Sequence, residues 1–464
     1  MTETTLRQEE SDYIYPIKPE QMAWGAIVTG FMLFCAICTL STLGLSYFLF
    51  SSTVPMDTLL QAGHGTVGVR ERTSREEAES RQRDLLNTTT IRTDTTNSLS
   101  QSTLSFRDPG SEQSLVAVVT LRSDTTVTFS RATRPRFEWS SPVYEIELRD
   151  LTGRVDIYIS ENLSRDIVLR VFTPYGAEAR ILHSGRYVVE ATLTNLTVTN
   201  RGGEVILIGS DRQTTRSIPE QWQGVLQEGG TAITLSEARR NLVQRANLQS
   251  PYMISQAEIA SLPPGEWGCF VQPVENRPVG TAVKAKSPDG RDSLRLVRGG
   301  GADTNGEVRC IQKLLGDAVG GVDISSYDYV AVQMTGFIEG QSVMRCGQAA
   351  TECPLMVALG YFVNGTRLEW RDGLFTRDDL TLPYAQRCDT CWSNPIQVLD
   401  GAWYTYDSGN LLTVIPPNLL PEVLADITFY AAGHEFEVYV DHVAVIVGQV
   451  SDEPSEPLST ANNG

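Results

Sequence analysis

From Gln21 to Met56 the chain carries no charged side chain, and Ala23–Phe50 is almost continuously apolar. At a helical rise of ~1.5 Å per residue, about twenty such residues cross a ~30 Å hydrocarbon core. A cleaved signal peptide would show an apolar core of roughly 7–15 residues behind a basic start. Here the core is far longer, and the residues before it are mainly acidic (Glu3, Glu9, Glu10, Asp12 and Glu20 against Arg7 and Lys18). Phe34 before Cys35 and Ile37 before Cys38 rule out the small residues of a lipoprotein signal. A retained transmembrane helix is therefore expected at 23–50, behind a short tail at 1–22. Arg7 and Lys18 precede the span and no basic residue follows it until Arg70, which favours a cytoplasmic N-terminus and a large extracytoplasmic portion.

The formal charge of −18 is uneven. Residues 60–218 hold 20 basic and 20 acidic groups, whereas 219–464 hold 16 and 30. Such a surface repels phosphate backbones, and no basic stripe offsets it, so nucleic acid is excluded as a partner. Only four of the 38 basic residues are lysine, which reads as codon bias.

Cys35 and Cys38 lie in the span; Cys269, Cys310, Cys346, Cys353, Cys388 and Cys391 follow in the last 200 residues. An even number in an exported region suggests disulfides. Neighbour pairing would join Cys269 to Cys310, Cys346 to Cys353 and Cys388 to Cys391. A zinc site from the last four is the alternative, although their spacing departs from two tight pairs.

From Gly63 short strands rich in Val, Ile and Thr alternate with turns, among them Leu115–Leu121, Val143–Leu148, Val155–Ile159, Ile167–Phe172 and Tyr187–Leu193. Turns are expected at Thr152-Gly153, Pro174-Tyr-Gly176 and Arg201-Gly-Gly203. The ordered set Gly65-Thr-Val67, Ile91-Arg92-Thr93, Gly153-Arg154-Val155, Thr173-Pro174-Tyr-Gly176, Gly185-Arg-Tyr-Val188 and Gly203-Glu-Val205 resembles the FecR-like domain of extracytoplasmic regulators. The resemblance covers 63–212 and implies a β domain. Regulation of a cytoplasmic sigma factor is implied less strongly, because only about 22 residues precede the span.

The capping-box spacing Thr234-Leu-Ser-Glu237 before Ala238–Leu248 predicts a short helix within a linker at 213–262. A second β domain is expected at 263–450 and a disordered tail at 451–464. Tyr327-Asp-Tyr329, Gly401-Ala-Trp403-Tyr404-Thr-Tyr406-Asp407 and Glu435–Val443 look like parts of the jelly-roll sandwiches found among carbohydrate-binding modules. That resemblance implies glycan binding through aromatic rings, with Trp370, Trp392, Trp403 and Tyr404 as candidates. It also implies a structural calcium, with Asp441 as a candidate ligand.

The four histidines lack zinc-type spacing, and no nucleophile elbow or phosphate loop is present, so no catalytic residue is assigned. Asp378-Asp379 and Glu435/Glu437 read as charged loops rather than a hydrolytic pair. The expectation is a mostly β, non-enzymatic, single-pass membrane protein. It would have a FecR-like domain, a short helical linker and a jelly-roll sandwich that contacts glycan or a protein partner at the cell envelope. Sigma-factor regulation and a structural envelope-assembly role are the alternatives.

Overall fold

In the computed structural model the described residues are 19–448, apart from 73, 110–113, 141, 247, 249–250, 273–277, 302–303, 317, 319, 342–352, 377–390 and 394. The tails expected at 1–22 and 451–464 therefore lie wholly or mostly outside them. The chain forms two compact units, the N-terminal helix with Pro135–Pro142, and the β structure.

The helix runs Pro19–Phe50, and its Met22–Phe50 stretch is long and apolar enough to cross a membrane once. Its side chains are exposed along nearly the whole length, as expected of a surface meant for lipid. The hydroxyls of Thr39 and Thr42 donate to the carbonyls of Cys35 and Cys38 at 2.8 Å, so neither faces hydrocarbon unpaired. Within this unit Phe137 packs edge-on to Phe48 with centroids 5.5 Å apart, and Trp139 stacks on Phe137 at 5.0 Å.

The first β region consists of two sheets that share one long strand, Tyr144–Ile159, and together approach a closed barrel. Its first half pairs with Thr126–Pro135 and Ile167–Phe172, its second half with Ser114–Leu121 and Gly185–Ala191. The crossing from sheet to sheet occurs at Asp150–Gly153, where both end residues have positive φ (54° and 96°). A Cβ at Gly153 would meet the Asp124 carbonyl at 2.5 Å, so only glycine fits the bend. The turn expected at Thr152-Gly153 is thus a bend inside a continuous strand. The turn at Pro174–Gly176 is present, with the Gly176 amide donating to Thr173 O at 3.0 Å. Inward residues of both sheets, including Leu104, Val119, Ile146, Ile157, Leu169 and Val189, meet in one core.

The expected linker helix is absent. Ile233–Glu237 is a strand that pairs with Trp222–Gln227 from Leu226↔Ile233 to Trp222↔Glu237. An exposed sheet edge offers a backbone partner for every second residue, and this outweighs a local capping signal. Leu242 and Val243 are buried, but in the second region's core, beside Arg240–Asn241 pairing with Phe436–Gly448. Among the described residues of the interval, the one helical piece is a short 3-10 turn at Gln256–Ser261. Residues 74–86 contribute two short strands, Glu77–Glu79 and Gln82–Asp84, and Leu411–Val414 forms a helical turn.

The second β region is a two-layer sandwich. One sheet orders Thr281–Lys286, Asp292–Arg298, Phe436–Gly448, Tyr329–Gln341 and Trp403–Asp407. The other is centred on Trp267–Gln272, Gly306–Lys313, Val423–Gly433, Leu355–Val363 and Thr366–Phe375. Period-two alternation puts Val330, Val332, Met334, Val438, Val440 and Val443 into the core between them.

Cys269 and Cys310 face each other across adjacent strands, 4.0 Å apart at Cα, and form the expected disulfide. Cys353 and Cys391 are also disulfide-bonded. The expected pairs Cys346–Cys353 and Cys388–Cys391 each include a residue outside the described ones. Oxidised Cys353 and Cys391 cannot serve as zinc thiolates, so the four-cysteine zinc alternative is overturned.

Candidate functional site

The two β regions meet through the outward faces of one sheet from each. In the first region Val155, Ile157 and Ile159 are buried in the core, so Arg154, Asp156 and Tyr158 project outward. Register sets Asp156 opposite Thr120 and Val188, and Tyr158 opposite Arg186. Arg122 follows the neighbouring strand, and Arg201 follows Asn195–Asn200 with its amide on Arg186 O at 3.0 Å. Four strands thereby deliver charged side chains to one patch. The second region meets them with Gln333 and Thr335, with Thr405 and Asp407, and with Asp441. Asp441 is the extra residue of a bulge between the pairs Thr335↔His442 and Gly336↔Val440, which re-aims it toward the seam.

Asp156 is the electrostatic centre. Arg122 donates from Nε at 2.7 Å and contacts it through Nη2 at 2.5 Å, and Arg154 Nε donates at 3.1 Å. Burial alone would raise its pKa; Arg122, Arg154 and Arg201 outweigh that and hold it well below the usual carboxylate range. Arg122 Nη1 also donates to Thr405 O at 2.9 Å, and the Thr405 amide donates to Gln101 Oε1 at 2.7 Å. Farther along, Arg186 reaches both Asp441 oxygens at 3.2 Å and lies 4.5 Å over the Tyr158 ring. Burial, then Asp441, pushes the Tyr158 phenol up to about 12.

Between these groups lies a cavity of about 60 Å³, faced by Arg122, Arg186, Arg201, Arg291, Asp156 and Asp441, a surplus of two positive charges. The Arg291 side chain is 3% exposed. Its guanidinium lies 4.1 Å over the Trp403 ring and 3.7 Å from Asp441. Arg201 Nη1 donates to Gln333 at 3.2 Å. The buried Nε atoms of Arg201 and Arg291 make no hydrogen bond, and neither does His442 Nδ1. Burial, followed by Arg186 and Arg201, lowers the His442 pKa well below its ordinary value, so the ring is neutral. Tyr158, Arg186, Arg201 and His442 also line a neighbouring groove of about 490 Å³ where Arg239, Arg240 and Arg245 join them. The cavity and the groove beside it share these four residues, and both are basic on a strongly acidic chain.

None of the four aromatic residues expected at a glycan platform offers an exposed ring. Trp370 and Tyr404 (2% and 4% exposed) pack in the sandwich core, and Trp392 lies half-buried against it. Trp403 points outward by alternation but is covered by Phe337 and Tyr439, and Gly63 approaches so closely that a Cβ there would sit 2.7 Å from the Trp403 carbonyl. Asp441, the residue expected to ligate calcium, faces Arg186 at 3.2 Å and Arg291 at 3.7 Å. Among the described residues no group of three or more His, Cys, Asp or Glu is arranged to hold a metal.

No protein-family model and no curated protein matches the chain. Among solved structures it is similar to a candidate anti-sigma factor from Parabacteroides distasonis, at 16% identity and a TM-score of 0.20, covering 26% of this chain and 51% of that one. A candidate sugar-binding protein from Bacteroides thetaiotaomicron is matched at 12% identity and a TM-score of 0.26, over 45% of this chain and 100% of that one. SGBP-B from a xyloglucan utilization locus in Bacteroides uniformis is matched at 11% identity and a TM-score of 0.24, over 77% and 98%. The chain thus spans about half the length of the anti-sigma structure. At these TM-scores neither fold nor function leans on the likenesses; both rest on the register and contacts above.

Proposed function

We propose that this is a membrane-anchored extracytoplasmic binding protein whose inter-region seam takes an anionic group, the carboxylate of an acidic glycan. In this reading the first β region is FecR-like, the second is a jelly-roll sandwich, and the helix keeps both at the membrane surface with the short tail at 1–22 inside the cell. The observation that carries it is that Arg201 and Arg291, whose buried Nε atoms make no hydrogen bond, both line a cavity with surplus positive charge. A buried donor without a partner is costly, and an anion able to accept from both removes that cost. The neighbouring groove supports a polar ligand: it offers Asn241, Gln221 and Gln244 beside the arginines.

The full chain in lipid nanodiscs, titrated calorimetrically with an oligogalacturonate, is expected to show saturable binding that weakens with salt, and a neutral oligosaccharide of equal length no heat. Arg201→Gln is expected to weaken that affinity about tenfold or more, since a hydrogen bond to a charged group is worth about 1.5–3 kcal/mol. Equal binding of the neutral sugar, or none of either by a folded protein, would refute this function.

A further inference from the structure

The segment 135–142 lies against the end of the apolar helix, and its contacts suit lipid better than water. We infer that Phe137 and Trp139 sit in the headgroup and glycerol layer of the bilayer spanned by Met22–Phe50, as a second contact with lipid outside the helix. This rests on reading the helix as a membrane span.

Two aromatic groups mark the ends of the span. Trp24 is 68% exposed, and Tyr47, Phe48 and Phe50 are each well exposed. From Trp24 to Tyr47 the helix rises about 35 Å, the separation at which aromatic side chains meet the two faces of a bilayer. Phe48 therefore stands at one boundary, and whatever touches it stands there too. Phe137 touches it edge-on at 5.5 Å. The Arg136 guanidinium lies 5.1 Å over the Phe48 ring, and its Nε donates to Ser52 Oγ at 3.1 Å. The Ser140 hydroxyl donates to Leu49 O at 3.1 Å. The segment is thus fastened to the last turn of the helix by polar and apolar contacts together.

Its outermost ring is Trp139, stacked on Phe137 with planes 5° apart and 63% exposed. A stacked indole left open to water would be an apolar liability. At the interface its apolar body meets acyl chains and its N–H meets glycerol or phosphate oxygens. Arg136 beside it matches the charge of lipid phosphate. Continuity with the helix selects lipid over a protein occupant.

The test uses the full chain labelled with 5-fluorotryptophan in phosphatidylcholine nanodiscs, with Trp139→Phe assigning the Trp139 resonance. Lipids carrying a spin label near the carbonyl are expected to broaden Trp139 several-fold more than half-buried Trp222, and a water-soluble gadolinium chelate is expected to do the reverse. Buried Trp267, Trp370 and Trp403 should respond to neither, which verifies the fold. If Trp24 responds to lipid while Trp139 follows the chelate, or is shielded from both probes, the segment is in water or against protein and the inference fails alone. If Trp24 is also silent to lipid, the membrane span itself fails and takes the inference with it.

Discussion

Replacing Asp156 by alanine should destabilise the β unit by about 3 kcal/mol, the lower end of the range for removing one partner of a buried ion pair. The lower end applies because its side chain is 24% exposed. What is lost is less a bond than a neutraliser: Arg122, Arg154 and Arg201 would then face one another across the seam. The pH dependence follows from the same contacts. Asp156 has a folded pKa depressed below its unfolded value, so its contribution is fully present above about pH 4 and is lost as acid protonates the unfolded chain first. His442, also depressed, acts in the same direction from about pH 6.5 downward, because the unfolded ring accepts a proton that the buried ring refuses. Urea unfolding of the full chain in nanodiscs at pH 7, 5 and 3 should show stability falling in two stages, the first from His442 and the second from Asp156. His442→Gln should flatten the first stage and Asp156→Ala the second. A midpoint for Asp156→Ala within error of the parent would show that the seam contributes nothing to the fold.

The second large effect concerns Cys269–Cys310. The bond closes a loop of 41 residues between directly opposed strand positions, and both sulfurs are fully buried. Chain-entropy arguments assign such a cross-link about 4 kcal/mol, acting mainly on the unfolded state. The double variant Cys269→Ser, Cys310→Ser should lose that amount of unfolding free energy, read as a lower urea midpoint at unchanged slope. The parent should resist reductant while folded and lose the same stability once reduced in urea. A double variant as stable as the parent would mean that strand pairing alone fixes this edge. An oxidised bond at this site also fits a compartment outside the reducing cytoplasm.

Much of the architecture was legible in the residues, for physical reasons that differ by element. The helix is readable because uncharged length has few other uses. Strands such as Ile167–Phe172 are readable because alternation is a local property. The stretch 234–248 misleads because its fate depends on an edge strand, Trp222–Gln227, whose availability no local pattern reveals. The seam was illegible for a related reason. Arg122, Arg154, Arg186 and Arg201 occupy outward positions that look solvent-facing until a second sheet covers them. Trp403 misled in the opposite sense, since its outward position is real and its exposure is not.

The joint between the two β regions grips main chain more than side chain. Gln61 donates to Gly401 O, His64 Nδ1 meets Gln397 O, Arg122 donates to Thr405 O, and Gln101 accepts from the Thr405 amide. A clasp of that kind is nearly indifferent to the side chains at its exposed positions, Gln397 and Asp400, whereas Val398, Trp403 and Tyr404 are held by burial. Adding or deleting a single residue is another matter, because it would displace several of these backbone groups at once. The segment is free to vary at its exposed positions and bound in length.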